Sequence, residues 1–226
     1  MTGRKKFNRF KVKTPEQTIL ARYLLAFPTK TLHFQPETLP PINALTLFGN
    51  EQPLYLDLGC GRGEFVVSQA LRHPDRNFAG IDSHRKSIYA CVNLAAQHGL
   101  QNVKFVHGDL RWVLDKAPDG AVSAAYLLFP APVMKKKYRQ RDMLSERFVR
   151  QFHRILEPGG RFYFVTDSAD YFQAKHRLIK DLGLLEEVKT SAGIEGGITR
   201  YQQFWEKFDE TSLRAEYVKA GELCGR

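Results

Sequence analysis

Cysteine is scarce in this chain. Cys60, Cys91 and Cys224 are the three present, widely spaced and never arranged as Cys-x-x-Cys. That excludes a disulfide framework and a zinc knuckle, and it fits a reducing cytoplasm. His84, His107 and His176 lack the spacing of metal ligands, so no metal is expected. No apolar run approaches the roughly 18 residues that a membrane helix needs, so no membrane association is expected. The opening MTGRKKFNRFKVK has no apolar core and does not read as a signal peptide.

Acids are missing from two segments. Residues 1–13 hold six cations, Arg4, Lys5, Lys6, Arg9, Lys11 and Lys13. Residues 135–141 hold five, Lys135, Lys136, Lys137, Arg139 and Arg141. These twenty positions hold eleven of the 34 cations and none of the 24 acids, against a net charge of +10. The rest of the chain is therefore close to neutral. Such asymmetry points to a polyanionic partner, against the plainer reading of a basic tail and a solvated loop.

With 226 residues, 43% hydrophobic and 26% charged, the composition is that of a soluble globular protein with a sizeable core. Residues 1–53 read as a basic arm, a helix and a proline-rich connector, and residues 54–226 as the main domain. After Pro15, the residues Ile19, Leu20, Tyr23, Leu24 and Phe27 share one helical face, and Pro28 ends the run. Five prolines between 28 and 53 predict an irregular connector.

From Leu54 onward, apolar strands alternate with amphipathic helices: LYLDL, GEFVVSQALRH, NFAGID, HRKSIYACVNLAAQHG, VKFVHGD, LRWVLDK, AVSAAYLLFP, MLSERFVRQFHRIL, GRFYFVTD and ADYFQAKHRLIKDLG. LLEEVKT and SLRAEYVK complete the pattern as strands. Ile88, Cys91, Val92 and Ala95 form one inward helix face, and Leu144, Phe148, Phe152 and Ile155 another. Trp112 also falls on an apolar helix face and reads as core. The pattern predicts an α/β fold, a doubly wound, mostly parallel sheet of seven strands with helices on both faces. Ligands of such sheets bind outside the carboxyl ends of the strands.

The first strand ends in LDLGCGRGEF, with Gly59, Gly61 and Gly63 between strand and helix. Glycines there let backbone approach a ligand at a helix start. The Gly-x-Gly-x-Gly spacing matches neither the dinucleotide fingerprint nor a P-loop. Asp57 precedes the loop, Asp82 ends the second strand, and Asp109 follows the third. Three carboxylates at neighbouring strand ends suit a cationic, ribose-bearing ligand. The competing reading is that Asp82 and Asp109 cap the helices that follow them. Cys60 reads as a small residue beside a ligand rather than a nucleophile, because no histidine stands near it in sequence.

The segments LDLGCGRGEF, AGIDSH, HGDL, FPAP followed by lysines, and EPGGRFYFVTD resemble those of class I S-adenosylmethionine-dependent methyltransferases. They most resemble the tRNA (guanine-N7)-methyltransferases, over roughly residues 54–205. The resemblance implies a Rossmann-like fold and S-adenosylmethionine as cofactor. It implies that Asp57, Gly59, Cys60, Gly61 and Gly63 hold the methionine part, Asp82 the ribose, and Asp109 with Leu110 the adenine region. It further implies that tRNA is bound through the basic segments 1–13 and 135–141, with Lys135, Thr199 and Gln202 as substrate contacts. Asp167 is implied as the catalytic residue beside the target guanine.

Two positions depart from the family pattern. Ala131 stands where the Phe-Pro-Asp-Pro segment has its acid, and Gln202 replaces the glutamate of Thr-x-x-Glu. Tyr138, within the lysine run, suits stacking on a base or plain packing equally. Three other readings stand beside an RNA methyltransferase. They are a methyltransferase-fold RNA-binding protein with weak or no activity, a small-molecule methyltransferase, and a nicotinamide oxidoreductase. The basic segments disfavour the second and the glycine spacing the third. The number of subunits is left open.

Overall fold

The computed structural model describes residues 11–133, 142–188 and 212–220. The strands are β1 (Leu24–Phe27), β2 (Leu54–Leu58), β3 (Asn77–Asp82), β4 (Val103–Gly108), β5 (Val122–Leu128), β6 (Leu156–Thr166), β7 (Glu186–Val188) and β8 (Leu213–Val218). They form one sheet in the order β1-β4-β3-β2-β5-β6-β8-β7. Pairing is parallel from β1 through β6, while β8 runs antiparallel to both β6 and β7. The chain leaves β2 toward β3 and β4, then returns to place β5 on β2's other side. That reversal makes the carboxyl ends of β2 and β5 the switch point, beside which ligands of such sheets bind.

Helices cover both faces. On one lie α1 (Gln17–Tyr23), α4 (Glu64–Arg72) and α5 (Arg85–Gln97). Their buried Tyr23, Val66, Val67, Ala70, Ile88, Cys91, Val92 and Ala95 pack with Phe78, Val103 and Phe105 of the sheet. On the other lie α6 (Leu110–Val113), α7 (Glu146–Ile155) and α8 (Ala169–Leu182), joined by the short α2 (Thr29–Phe34) and α3 (Ala44–Phe48). The larger core there includes Leu56, Ile81, Leu127, Leu144, Phe148, Phe152, Ile155 and Phe162. All eight residues of the two helix faces read from the sequence are thus buried, although Leu144 lies in the turn before α7 rather than on it. β3 is apolar along nearly its whole length because both its faces are covered.

Two expectations are corrected. The helix after Pro15 stops at Tyr23, and Leu24 to Phe27 form β1, paired in parallel with β4 from Leu24↔Phe105 to Phe27↔Gly108. Pro28 disfavours helical geometry at Phe27, and the open edge of β4 offers Leu24–Phe27 a hydrogen-bonded ladder. Among the described residues the sheet therefore has eight strands rather than seven, the extra one being β1. The connector from 28 to 53 is also more ordered than expected. It holds α2, a 3₁₀ turn at Pro36–Thr38, and α3, which Asn43 caps by accepting from Thr46 N at 2.8 Å. Leu32, Ile42 and Leu47 anchor the connector in the larger core.

Candidate functional site

The loop after β2 is built by its glycines. Gly59, Gly61 and Gly63 have φ of +80°, +56° and +83°, values that side-chain-bearing residues rarely adopt. Gly59 N and Cys60 N both donate to Ile81 O, at 2.8 and 3.1 Å, which ties the loop to the end of β3. A Cβ at Gly59 or Gly61 would meet nothing within 4 Å, so the loop keeps an open side. At Gly63 a Cβ would lie 2.9 Å from Cys91 Sγ, so the glycine lets α4 start against α5. Cys60 is buried with its Sγ 4.0 Å from that of Cys91. The hydrogen bond to Cys91 and burial push its thiol well above the usual range, which leaves it a poor nucleophile.

Asp57 and Asp82 stand on either side of this loop. Asp57, within β2, is 4% exposed, and burial pushes its carboxyl up to about 8, with the charges of Asp82 and Glu64 adding to the effect. Asp82, the last residue of β3, accepts from His84 N through Oδ1 at 2.7 Å and from Gly61 N through Oδ2 at 3.1 Å. Burial raises its pKa, and those two backbone donors pull the other way without cancelling the rise. A buried carboxylate and a half-buried one beside an open glycine loop are suited to a ligand that brings positive charge and hydroxyl donors.

Asp109 differs. It caps α6, its Oδ1 accepting from Arg111 N at 3.0 Å, and its carboxylate also pairs with the Arg111 guanidinium. Those bonds hold it below the ordinary carboxylate range. The capping reading therefore describes Asp109, while Asp82 caps nothing: the N-cap of α5 is His84. Leu110 follows, buried at the start of α6. Phe148 is core, whereas Trp112 is only half-buried, with the Arg147 guanidinium 4.8 Å over its ring and the His33 ring edge-on at 4.2 Å.

Across the switch point, Phe129 has φ of +50° and donates its N–H to Val165 O at 2.7 Å. Ala131 and Pro132 beyond it are exposed. Asp167 stands half-buried directly after β6, and Ser168 N donates to Thr166 Oγ1 at 3.2 Å. Asp57, the glycine loop and Asp82 are thus brought together, and Asp167 lies two strands away on the same edge. Lys135, Tyr138, Thr199, Gln202, Cys224, Arg4, Lys5, Lys6, Arg9 and segment 135–141 lie outside the described residues. Among the described residues, no group of three or more His, Cys, Asp or Glu is placed to hold a metal ion.

One cluster escaped the sequence reading. Asp142 is 7% exposed and accepts from Tyr171 Oη at 2.7 Å and Leu144 N at 3.1 Å, and it pairs with Lys175. The only hints in sequence were an acid directly after the five cations and a Tyr–Lys pair four residues apart on α8.

Comparison with known proteins narrows the site's chemistry. Residues 51–216 match the model of a family described as putative methyltransferase. A tRNA (guanine-N(7)-)-methyltransferase of Rubrobacter xylanophilus is 38% identical over 220 residues, 96% of this chain and 99% of the relative. One of Chloroherpeton thalassium is 32% identical, covering 94% of this chain and 96% of the relative. Among solved structures, the 16S rRNA methyltransferase KamB superposes with a TM-score of 0.57 at 15% identity, covering 76% of this chain and 90% of that one. That last likeness concerns the fold alone.

Proposed function

Because the chain belongs to the tRNA (guanine-N(7)-)-methyltransferase family, we propose that it transfers the methyl group of S-adenosylmethionine to N7 of a guanine in tRNA. The observation that carries this reading is the pairing of near-full-length similarity with a buried carboxylate, Asp57, and a half-buried one, Asp82, beside an open glycine loop. When bound, S-adenosylmethionine supplies an electrophilic methyl group on a positively charged sulfur.

The residues present fit that cofactor. Asp57, ionised on binding, faces its ammonium group, and the Gly59–Gly63 backbone with Cys60 lets the methionine part approach closely. Asp82 has two carboxylate oxygens with one backbone donor on each, which leaves lone pairs for ribose hydroxyls. Asp109 serves the adenine region while paired to Arg111, with Leu110 as the apolar wall.

Guanine N7 carries a free lone pair at neutral pH, so no general base is needed. The protein's work is alignment of nucleophile, methyl and leaving sulfur. Asp167, fixed by β6, accepts from the guanine N–H edge and opposes the positive charge that the product ring acquires. Lys135, Thr199 and Gln202 complete the substrate contacts, and segments 1–13 and 135–141 bind phosphates. No described helix is long and apolar enough to cross a membrane, and a cytoplasmic site of action fits tRNA as substrate.

Ala131 favours one rival, a tRNA-binding protein of the same fold with weak activity, because an exposed alanine stands where an acid would face the base. Incubation with labelled S-adenosylmethionine and unmodified tRNA, followed by nucleoside analysis, separates the two. The enzyme yields labelled 7-methylguanosine, and the rival yields little or none while still retaining tRNA.

A further inference from the structure

Positive charge is spread unevenly over the two faces of the sheet. Residues 11–26 and 83–108, which carry α1, β1, α5 and β4, hold six cations, Lys11, Lys13, Arg22, Arg85, Lys86 and Lys104, against a single acid, Glu16. All but Lys104 are exposed. Among the described residues none of the six forms an ion pair. On the opposite face four arginines each hold a carboxylate. Arg111 pairs with Asp109, Arg147 with Asp115 at 3.0 Å, Arg150 with Glu146 at 2.8 Å, and Arg154 with Asp119 at 2.7 Å. A carboxylate that close cancels most of the field its partner projects into solvent. From a distance the α6–α7 side is therefore close to neutral, and the α1–α5 side is not.

These cations share one flank. On α5, Lys86, Tyr89 and Asn93 are spaced three and four residues apart, and Arg85 stands four before Tyr89, so their side chains leave the helix on one side. Asn93 Nδ2 donates to Lys13 O at 2.7 Å, which lays the chain entering α1 along that same side. Buried Pro15, and Tyr23 Oη donating to Leu100 O at 2.8 Å, fasten the rest of α1. Arg85 and Lys86 precede Asn93 by two turns, about 10–12 Å along the axis. They open α5 just beyond Asp82, which accepts from Gly61 N, so this end of the flank borders the cofactor loop. At the other end Lys104 Nζ donates to Arg22 O, and burial together with the Arg22 charge lowers the lysine's pKa.

We propose that the α1–α5 flank is a docking surface for the sugar–phosphate backbone of tRNA, with Arg85 and Lys86 as its contacts nearest the cofactor loop. This rests on the proposed tRNA activity and adds residues to it. The occupant follows from charge and place: a row of cations without acid partners suits a polyanion, and its upper end adjoins the loop beside which the target base must arrive. Contacts of this kind set affinity and register and do not touch the reacting atoms.

The test uses the full chain carrying Arg85→Gln with Lys86→Gln. The control is Arg147→Gln with Arg150→Gln, which removes the same charge from the opposite face. Both are read for Tm, S-adenosylmethionine affinity, tRNA affinity across salt, and kcat and KM for tRNA. In the first variant KM rises, and the slope of log affinity against log salt flattens by about 0.9 for each duplex phosphate released. At 0.1 M salt a slope change of 0.9 is about eightfold in affinity. Cofactor affinity and kcat at saturating tRNA stay at the wild-type values, and the control keeps the wild-type slope and KM. Equal losses in both variants would show an effect of net charge alone. An unchanged slope and KM in folded Arg85→Gln with Lys86→Gln would make the flank a solvated face. Either result overturns the proposal. So does unchanged tRNA binding with lost retention on phosphatidylserine vesicles, which assigns the flank to an anionic membrane. Should the wild type bind tRNA without methylating it, the activity fails and the salt slope still tests the flank.

Discussion

Replacing Asp57 by Asn should make the stability of the folded chain less dependent on pH. Burial pushes the carboxyl from 3.8 up to about 8. Between those values the unfolded chain has lost this proton and the folded chain keeps it. The unfolded state then binds fewer protons, so stability falls as pH rises through that window, and the loss ends above about pH 8. Each unit costs about 1.4 kcal/mol at full slope, so the rise from pH 6 to pH 8 costs the wild type about 2 kcal/mol. Asn has no proton to lose. It introduces its own offset, but that offset does not vary with pH. For a chain of this size, 2 kcal/mol corresponds to a Tm change of roughly 4–8 °C. Paired thermal melts at pH 6 and pH 8 should show the difference in Tm shifting by that amount in favour of Asp57→Asn. A difference that stays constant across the two pH values would show that Asp57 is already ionised at pH 6, and the buried-acid account of the site would fall. In the wild type, cofactor binding should also release a proton near pH 7, visible as a binding enthalpy that changes with the buffer's ionisation enthalpy.

Asp82→Ala should weaken S-adenosylmethionine binding by roughly 1.5–3 kcal/mol in calorimetry, the range for hydrogen bonds to a charged group; unchanged affinity removes Asp82 from the site. Gly63→Ala places a Cβ 2.9 Å from Cys91 Sγ at φ of +83°. It should lower stability in denaturant titration by roughly 1–3 kcal/mol, and Cys91→Ala in the same chain should recover part of that loss. Asp167→Asn should leave the fold and cofactor affinity intact and slow methyl transfer about thirtyfold, the rate equivalent of about 2 kcal/mol lost in the transition state. In the same single-turnover assay Ala131→Asp should match or exceed the wild-type rate.

The strand–helix alternation was legible because its cause is local. Strands covered on both faces must be apolar through their middle, as Phe78 to Ile81 of NFAGID are, and a helix against a sheet must repeat at 3 and 4 residues, as Ile88, Cys91, Val92 and Ala95 do. β1 was not legible for a physical reason. Leu24 and Phe27 fit the helical repeat that begins at Ile19, but the free edge of β4, eighty residues away, supplies a ladder that the local pattern does not announce. The site divided in the same way. The glycine loop and the three acids could be found by position, yet spacing could not distinguish Asp109, which caps its helix and pairs with Arg111, from Asp82, which binds the glycine loop. Asp142 and Lys175 meet across 33 residues of chain and a sheet corner, which no local pattern encodes.

The central claim is that guanine N7 is the nucleophile. Two transcripts of one tRNA test it, one made with guanosine and the other with 7-deazaguanosine, each incubated with the protein and labelled S-adenosylmethionine. The account predicts stoichiometric label at a single guanosine of the first transcript and none in the second, which has carbon at the accepting position. Equal label in both transcripts would place the methyl on another atom and contradict the account.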